Sequence, residues 1–483
     1  MNEPHGERIR VAIPGLEQVL NGGFLPGRSY LISGGPGSGK TTLGLQYLAS
    51  STDGDGLLVS LGESERNLRA DAHRIGLSLD GISVIDLSPG SDSGQESAYT
   101  LLEPWEAEGV DIRSQVEALF PDGPPERVCI DALSQLRQLM PDAYQFRKQV
   151  MGLLEYLNGA GATVVYTAEH GSSADEDLRY LGDGILELEY RENRRVLRVL
   201  KFRGSGFSEG EHTLRLGDHG MRVFQRLMPG EHRRAYVAEE LPCGIDELDS
   251  LSGGGITRGT VTIVSGPTGV GKTSLGLQYM HEAARRGERS VVYTFEENLG
   301  TLRKRCEAIG IPVSDMLEKG SLSIDEVESL HYSPDEFAWR VRTEVEQQGA
   351  RMVMLDSLAG FRQSVRGADI TAHTHALCHY LSNMGVTVLL VNEQSAIAGE
   401  ELRPSEDDIN YLADTIILLR YMELDGGLRK AIGILKKRTG DFEKTLREFQ
   451  ITSDGLRVGA PLYGLRGILQ GIPSKTATLD ATE

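Results

Sequence analysis

Cysteine is scarce in this sequence. The 483 residues hold four, Cys129, Cys243, Cys306 and Cys378, far apart and with no CxxC pair. That spacing excludes a disulfide framework and a zinc ribbon, and reduced thiols are expected. Long apolar runs are also missing. None approaches the roughly 18–20 residues of a spanning helix, and the start, MNEPHGERIR, has no signal core, so a cytoplasmic protein is expected. Positive charge is short as well, with 50 Lys and Arg against 70 Asp and Glu. Residues 1–234 carry 24 basic and 34 acidic side chains and the remainder 26 and 36, so neither half is basic. Phosphate-backbone and anionic-membrane binding rest on clustered Lys and Arg. Neither a duplex-DNA binder nor a membrane-surface protein is therefore expected. No basic–aromatic segment offers a track for single strands.

What is abundant is glycine, 58 residues, and much of it falls in a repeat. IPGLEQVLNGGFLPGRSYLISGGPGSGKTTLGLQYL, from Ile13, returns as PCGIDELDSLSGGGITRGTVTIVSGPTGVGKTSLGLQYM, from Pro242. The match continues through Val59–Gly76 against Tyr293–Gly310 and Arg127–Leu136 against Arg351–Gly360. A period this long marks a duplicated domain, not a solenoid. The expected division is 1–230, 235–458 and a Gly/Thr/Ser-rich tail over 459–483, with the boundary in the polar stretch Leu227–Glu240. Short apolar runs such as SVVYTF and RMVMLD have the length of buried parallel strands. Charged helical stretches separate them, one opened by a Ser333 cap. The expected fold is α/β: two tandem doubly wound domains, each a mainly parallel sheet flanked by helices.

Each half carries G-x4-G-K-T between a strand and a helix, at Gly34–Thr41 and Gly266–Thr273. Glycines let successive N–H groups face phosphate oxygens, and the helix N-terminus adds positive potential. The loop residues expected to hold a nucleotide are Gly35, Pro36, Gly37, Ser38, Gly39, Lys40, Thr41 and Thr42, and Pro267, Thr268, Gly269, Val270, Gly271, Lys272, Thr273 and Ser274. Lys40 and Lys272 would reach the β- and γ-phosphates, and Thr41 and Thr273 would place a hydroxyl on Mg²⁺. ATP and Mg²⁺ are the expected ligands. Asp131 and Asp356 end apolar strands and suit the metal's water shell, although a strand-end Asp also caps helices. Water activation needs a carboxylate at a neighbouring strand end. The second half offers Glu296 and Glu297 in TFEEN, and Glu296 could also face the metal. The first half offers SLGES, where Gly62 stands opposite Glu296 and only Glu63 remains. If the first Glu is the base, the first domain binds ATP and turns it over slowly; if the second suffices, both turn over. Glu169 and Glu393 are further candidates, for sensing the γ-phosphate.

The paired loops, TFEEN, the strand-end Asp, ADTIILLRY and LKKRTGDFEKTLREFQI resemble the KaiC family of RecA-like ATPases, over roughly residues 8–458. The resemblance implies two RecA-like P-loop domains in a hexameric ring with ATP at subunit interfaces. It implies that Lys201 and Arg203, and Lys436 and Arg438, reach the neighbouring subunit's ATP. It places Arg195 and Lys430 near the nucleotide's purine base. The family's clock ATPase phosphorylates an adjacent Ser–Thr pair. Here Asn410 and Tyr411 align with it, and Arg179 and Tyr180 in the first half, so neither site has a Ser or Thr hydroxyl; Ser405 is out of register. The expected function is Mg-dependent ATP binding and hydrolysis that controls subunit and partner contacts. A Ser/Thr autokinase, a RecA-like DNA-dependent ATPase and an ATP-bound scaffold are the alternatives. His373, His375, Cys378 and His379 fit an ordinary helix better than a metal site.

Overall fold

The computed structural model describes residues 8–51, 54–89, 112–139, 142–170, 176–191, 194–328, 331–365, 370–394, 411–424, 426–463, 465–467 and 474–475. Trp105, Ser405 and Asn410 lie outside them, as do 171–175 and 395–410 as a whole. The chain forms two compact units, Met1–Arg226 and Leu227–Glu483. The stretch from Leu227 goes with the second unit, where the Arg234 N–H donates to the Asn383 carbonyl and Asn383 Nδ2 to the Pro229 carbonyl.

The strands of the first unit are β1 (Ser29–Gly34), β2 (Gly56–Ser60), β3 (Ile82–Asp86), β4 (Arg127–Asp131), β5 (Thr163–Glu169), β6 (Gly184–Arg191), β7 (Arg194–Phe202), β8 (Glu211–Gly217) and β9 (Gly220–Phe224). They form one sheet in the order β3-β2-β4-β5-β1-β6-β7-β8-β9. Strands β3 to β6 pair in parallel, and β7 to β9 extend the edge as an antiparallel meander. After a two-strand ribbon of β10 (Glu240–Leu241) and β11 (Ile256–Thr257), the second unit repeats the plan. Its strands are β12 (Val261–Gly266), β13 (Arg289–Thr294), β14 (Leu322–Glu326), β15 (Ala350–Asp356), β16 (Thr387–Glu393), β17 (Thr415–Leu424), β18 (Gly427–Lys437), β19 (Arg447–Thr452) and β20 (Gly455–Pro461). Their order is β14-β13-β15-β16-β12-β17-β18-β19-β20. The fold is the expected one.

The central strands are buried along their whole length, because helices cover both faces. Successive side chains feed opposite cores: Leu31 joins one apolar cluster and Ile32 another, and Ile263 and Val264 divide likewise. Each fully buried side chain of this size contributes about 1.5–3 kcal/mol before entropy. The helix Pro334–Glu346 starts as the sequence indicates, with Ser333 Oγ accepting from the Glu336 N–H at 3.2 Å. All four cysteines are buried and free. Among the described residues, no helix is long and apolar enough to cross a membrane.

Register positions the chemistry. Gly34 pairs with Glu169 and Ser60 with Asp131; Gly266 pairs with Glu393 and Thr294 with Asp356. The loops and acids therefore share the C-terminal edge of each sheet, where open α/β folds bind ligands.

Candidate nucleotide sites

In the second domain β12 runs into the loop, and the helix Lys272–Arg285 leaves it. Gly269 and Gly271 have φ of 72° and 117°, the left-handed region that glycine tolerates. Val270 is fully buried, so it offers the loop only its backbone. Lys272 Nζ donates to the Gly266 and Pro267 carbonyls at 2.9 and 2.8 Å. Burial holds its ammonium below the ordinary lysine range, against the pull of Glu393, Asp356 and Glu296. The Asp356 carboxyl is pushed up to about 6 by burial, opposed by a hydrogen bond from Thr273 and by Arg305.

Across the loop, Glu296 Oε1 accepts from Ser357 Oγ at 2.9 Å. Glu297 is held differently. Arg305 donates to its two oxygens at 2.6 and 3.2 Å, and also to Ser274 Oγ at 3.0 Å. Thr268, Gly269, Gly271, Lys272, Thr273, Ser274, Glu296, Glu297, Asp356 and Glu393 all line one cavity of about 360 Å³. Lys436 and Arg438 are not among its lining residues. Arg438 is half exposed, donating to the Tyr411 carbonyl and pairing with Asp414 at 3.4 Å. Lys430 Nζ instead meets the Gly269 carbonyl at 3.3 Å.

The first domain repeats the core of this arrangement. Gly37 and Gly39 have φ of 69° and 106°. Lys40 Nζ donates to the Gly34 and Gly35 carbonyls at 2.8 and 3.0 Å. Thr41 Oγ1 donates to Asp131 at 2.7 Å, and Thr167 donates to its other oxygen. Arg195 Nε meets the Gly37 carbonyl at 3.1 Å, as Lys430 does in its domain. Lys201 Nζ donates to the Gly182 carbonyl at 2.6 Å, and Arg203 lies 3.8 Å from Asp183. Ser60 Oγ binds the Glu63 backbone as Thr294 binds that of Glu297, so Gly62 does stand opposite Glu296. Glu63 sits higher than an ordinary carboxyl through burial, Asp131 and Asp71.

These residues fit the expected ligands. A lysine satisfied by loop carbonyls has donors ready for phosphate. A side chain built on Gly35 or Gly37 would meet nothing within 4 Å, so open space lies over the first loop. Paired hydroxyl and carboxylate oxygens are the donors that Mg²⁺ prefers. Sequence reasoning missed Arg305, Ser357 and Gln135. The repeat signals them only as differences, since Asp71, Ala132 and Gly360 are their counterparts in the other half.

A tandem pair of RecA-like domains with phosphate loops at the strand ends is a P-loop ATPase architecture. The family model for the KaiC ATPase matches residues 9–228 and again 241–463, and the chain belongs to that family. The circadian clock oscillator protein KaiC of a Picosynechococcus species is 26% identical over 498 residues, spanning 99% of this chain and 94% of that protein. KaiC of Parasynechococcus marenigrum is 26% identical over 499 residues, with 99% and 95% coverage. KaiC of Synechococcus elongatus is 25% identical over 498 residues, with 99% and 93% coverage.

Proposed function

We propose that this chain is a Mg²⁺-dependent ATPase that assembles into a hexameric ring, with ATP at subunit interfaces and nucleotide state controlling subunit and partner contacts. The observation that carries the reading is the second-domain cavity, where Lys272, Thr273, Asp356, Glu296 and Glu297 meet. Lys272 and the loop N–H groups would hold the phosphates. Thr273 and Asp356 would hold the metal, whose chemistry is to neutralise phosphate charge. Glu296 is the stronger base candidate, because Glu297 is clamped by Arg305 while Glu296 accepts a hydrogen bond from the neutral Ser357 hydroxyl. Water's oxygen would bond to the γ-phosphorus as the bond to the β–γ bridging oxygen breaks. The water proton would pass to Glu296, and ADP and phosphate would leave. Lys201, Arg203, Lys436 and Arg438 would serve the neighbouring subunit's nucleotide.

The test is phosphate release by wild type, Lys40→Ala and Lys272→Ala, with sizing beside each sample. Lys272→Ala is expected to remove most turnover with the ring retained, and Lys40→Ala mainly to loosen the ring. Loss of most turnover in an intact Lys40→Ala ring would reverse the assignment and make Glu63 a sufficient base.

A further inference from the structure

The two sites differ by a reciprocal exchange across one gap. In the second domain the gap lies between the turn after β13 and the helix Leu358–Ser364. The Glu296 carboxylate reaches into it, and Gly360 leaves room. A Cβ on Gly360 would fall 3.1 Å from Glu296 Oε1 and 2.6 Å from the Phe295 Cβ. In the first domain both walls are changed. Gly62 replaces Glu296, and Gln135, on the helix Leu133–Leu139, replaces Gly360. A Cβ on Gly62 would fall 2.6 Å from Gln135 Nε2 and 3.2 Å from its amide carbon. The amide therefore crosses the same gap from the opposite wall. Ser357, which donates to Glu296, is matched by Ala132, which has no hydroxyl to give.

We infer that Gln135 is a specificity-determining residue that fills the place of the missing carboxylate and makes the first domain an ATP-retaining site. The inference rests on the proposed reading that both loops bind ATP. Its chemistry is simple. As the water oxygen bonds to the γ-phosphorus and the bridging P–O bond breaks, a proton must be accepted. A carboxylate accepts it; a carboxamide is neutral and does not. With Gly62 in place of Glu296, Glu63 is the sole acid of the turn after β2, and Asp71 raises its pKa where the second domain has Arg305. The sites thus differ in which wall carries the polar group and in whether that group can take a proton.

The exchange predicts non-additivity, because residues in contact couple. The experiment uses full-length Lys272→Ala protein, in which phosphate release reports the first site. Into it go Gly62→Glu, Gln135→Gly and both together. Phosphate release is read with the ADP:ATP ratio of nucleotide retained after desalting. The double variant is expected to release phosphate at least tenfold faster than its parent, with retained nucleotide shifted to ADP. Each single change is expected to fall well short, Gly62→Glu because Gln135 obstructs it and Gln135→Gly because no carboxylate is supplied. The reciprocal Gly360→Gln, placed in otherwise wild-type protein, whose turnover comes mainly from the second site, is expected to lower turnover at least tenfold while ATP is still bound. Two outcomes overturn the inference: a double variant that retains ATP yet turns over no faster, or a Gln135→Gly single that abolishes turnover, which would make the amide a water-orienting group. If Lys272→Ala protein retains no nucleotide that Lys40→Ala removes, the underlying reading of the first loop has failed instead. Thermal melting of each variant separates either result from unfolding.

Discussion

Arg305 and Asp71 occupy equivalent helix positions in the two domains and give neighbouring glutamates opposite surroundings. Glu297 is clamped by a guanidinium that also ties down Ser274 of the phosphate-loop helix. Glu63 faces burial and two carboxylates, and its pKa rises. The Arg305 pair is partly solvent-exposed, at 37% and 26% of the side chains, so its Coulomb energy is screened. Removing it still leaves a half-buried carboxylate beside the nucleotide. Arg305→Met is expected to weaken ATP binding by about 1 kcal/mol, or roughly fivefold. Arg305→Lys should recover part of the loss. Titration with a fluorescent ATP analogue checks this, and unchanged affinity would mean that the pair does not shape the site.

At the scale of elements, the first strand of the antiparallel meander shows how duplicated strands diverge. In β7 the residue between Lys201 and Arg203 is Phe202, which stacks on Tyr30 with ring centroids 5.3 Å apart. In β18 the same place is Lys437, whose side chain is fully buried. Its Nζ donates to the Ser252 and Gly255 carbonyls at 2.6 and 3.1 Å, and to Glu240 of β10 at 3.0 Å. One strand thus closes its domain edge with an aromatic pair, and the other with a buried ammonium that ties down the β10–β11 ribbon. Lys437→Met keeps the volume and strands those acceptors. A loss of about 2 kcal/mol is expected, because hydrogen bonds from charged groups are worth about 1.5–3 kcal/mol each and Glu240 retains some solvent. The melting transition of the second domain should fall by roughly 4–8 °C. A shift under 1 °C would show that the ribbon holds without the anchor. The alternation of Lys436 and Arg438 about this position was legible in the sequence. The reversal of polarity at the residue between them was visible there too, but its cause was not, since the acceptors come from a distant turn.

For the whole molecule, the excess of 20 negative charges is shared by both halves, while the basic pair Lys436 and Arg438 stands apart from the cavity of its own domain. In the proposed ring this pair completes a neighbour's site. Chains with Lys272→Ala keep the basic pair but cannot hold ATP at the second site, and chains with Arg438→Ala do the reverse. Mixed before assembly, they are expected to recover turnover above either parent, because some interfaces then join an intact loop to an intact Arg438. Phosphate release across mixing ratios checks this. No recovery in verified mixed rings would place Arg438 outside the neighbour's chemistry.

The sequence by itself determined the parts built from contiguous residues. The strand–loop–helix of each phosphate site, the acid closing each strand, the mainly parallel character of each sheet and the duplication are all patterns that can be read along the chain. The deficit at Gly62 was equally plain. Only the tertiary structure decided what answers it. Gln135 meets Gly62, Arg305 clamps Glu297 and Lys437 spans to Ser252 because strand register and helix packing bring separate stretches of chain together. Such pairings depend on which walls face each other across a gap a few ångströms wide. No periodicity encodes that distance, and a reciprocal exchange looks in sequence like two unrelated substitutions.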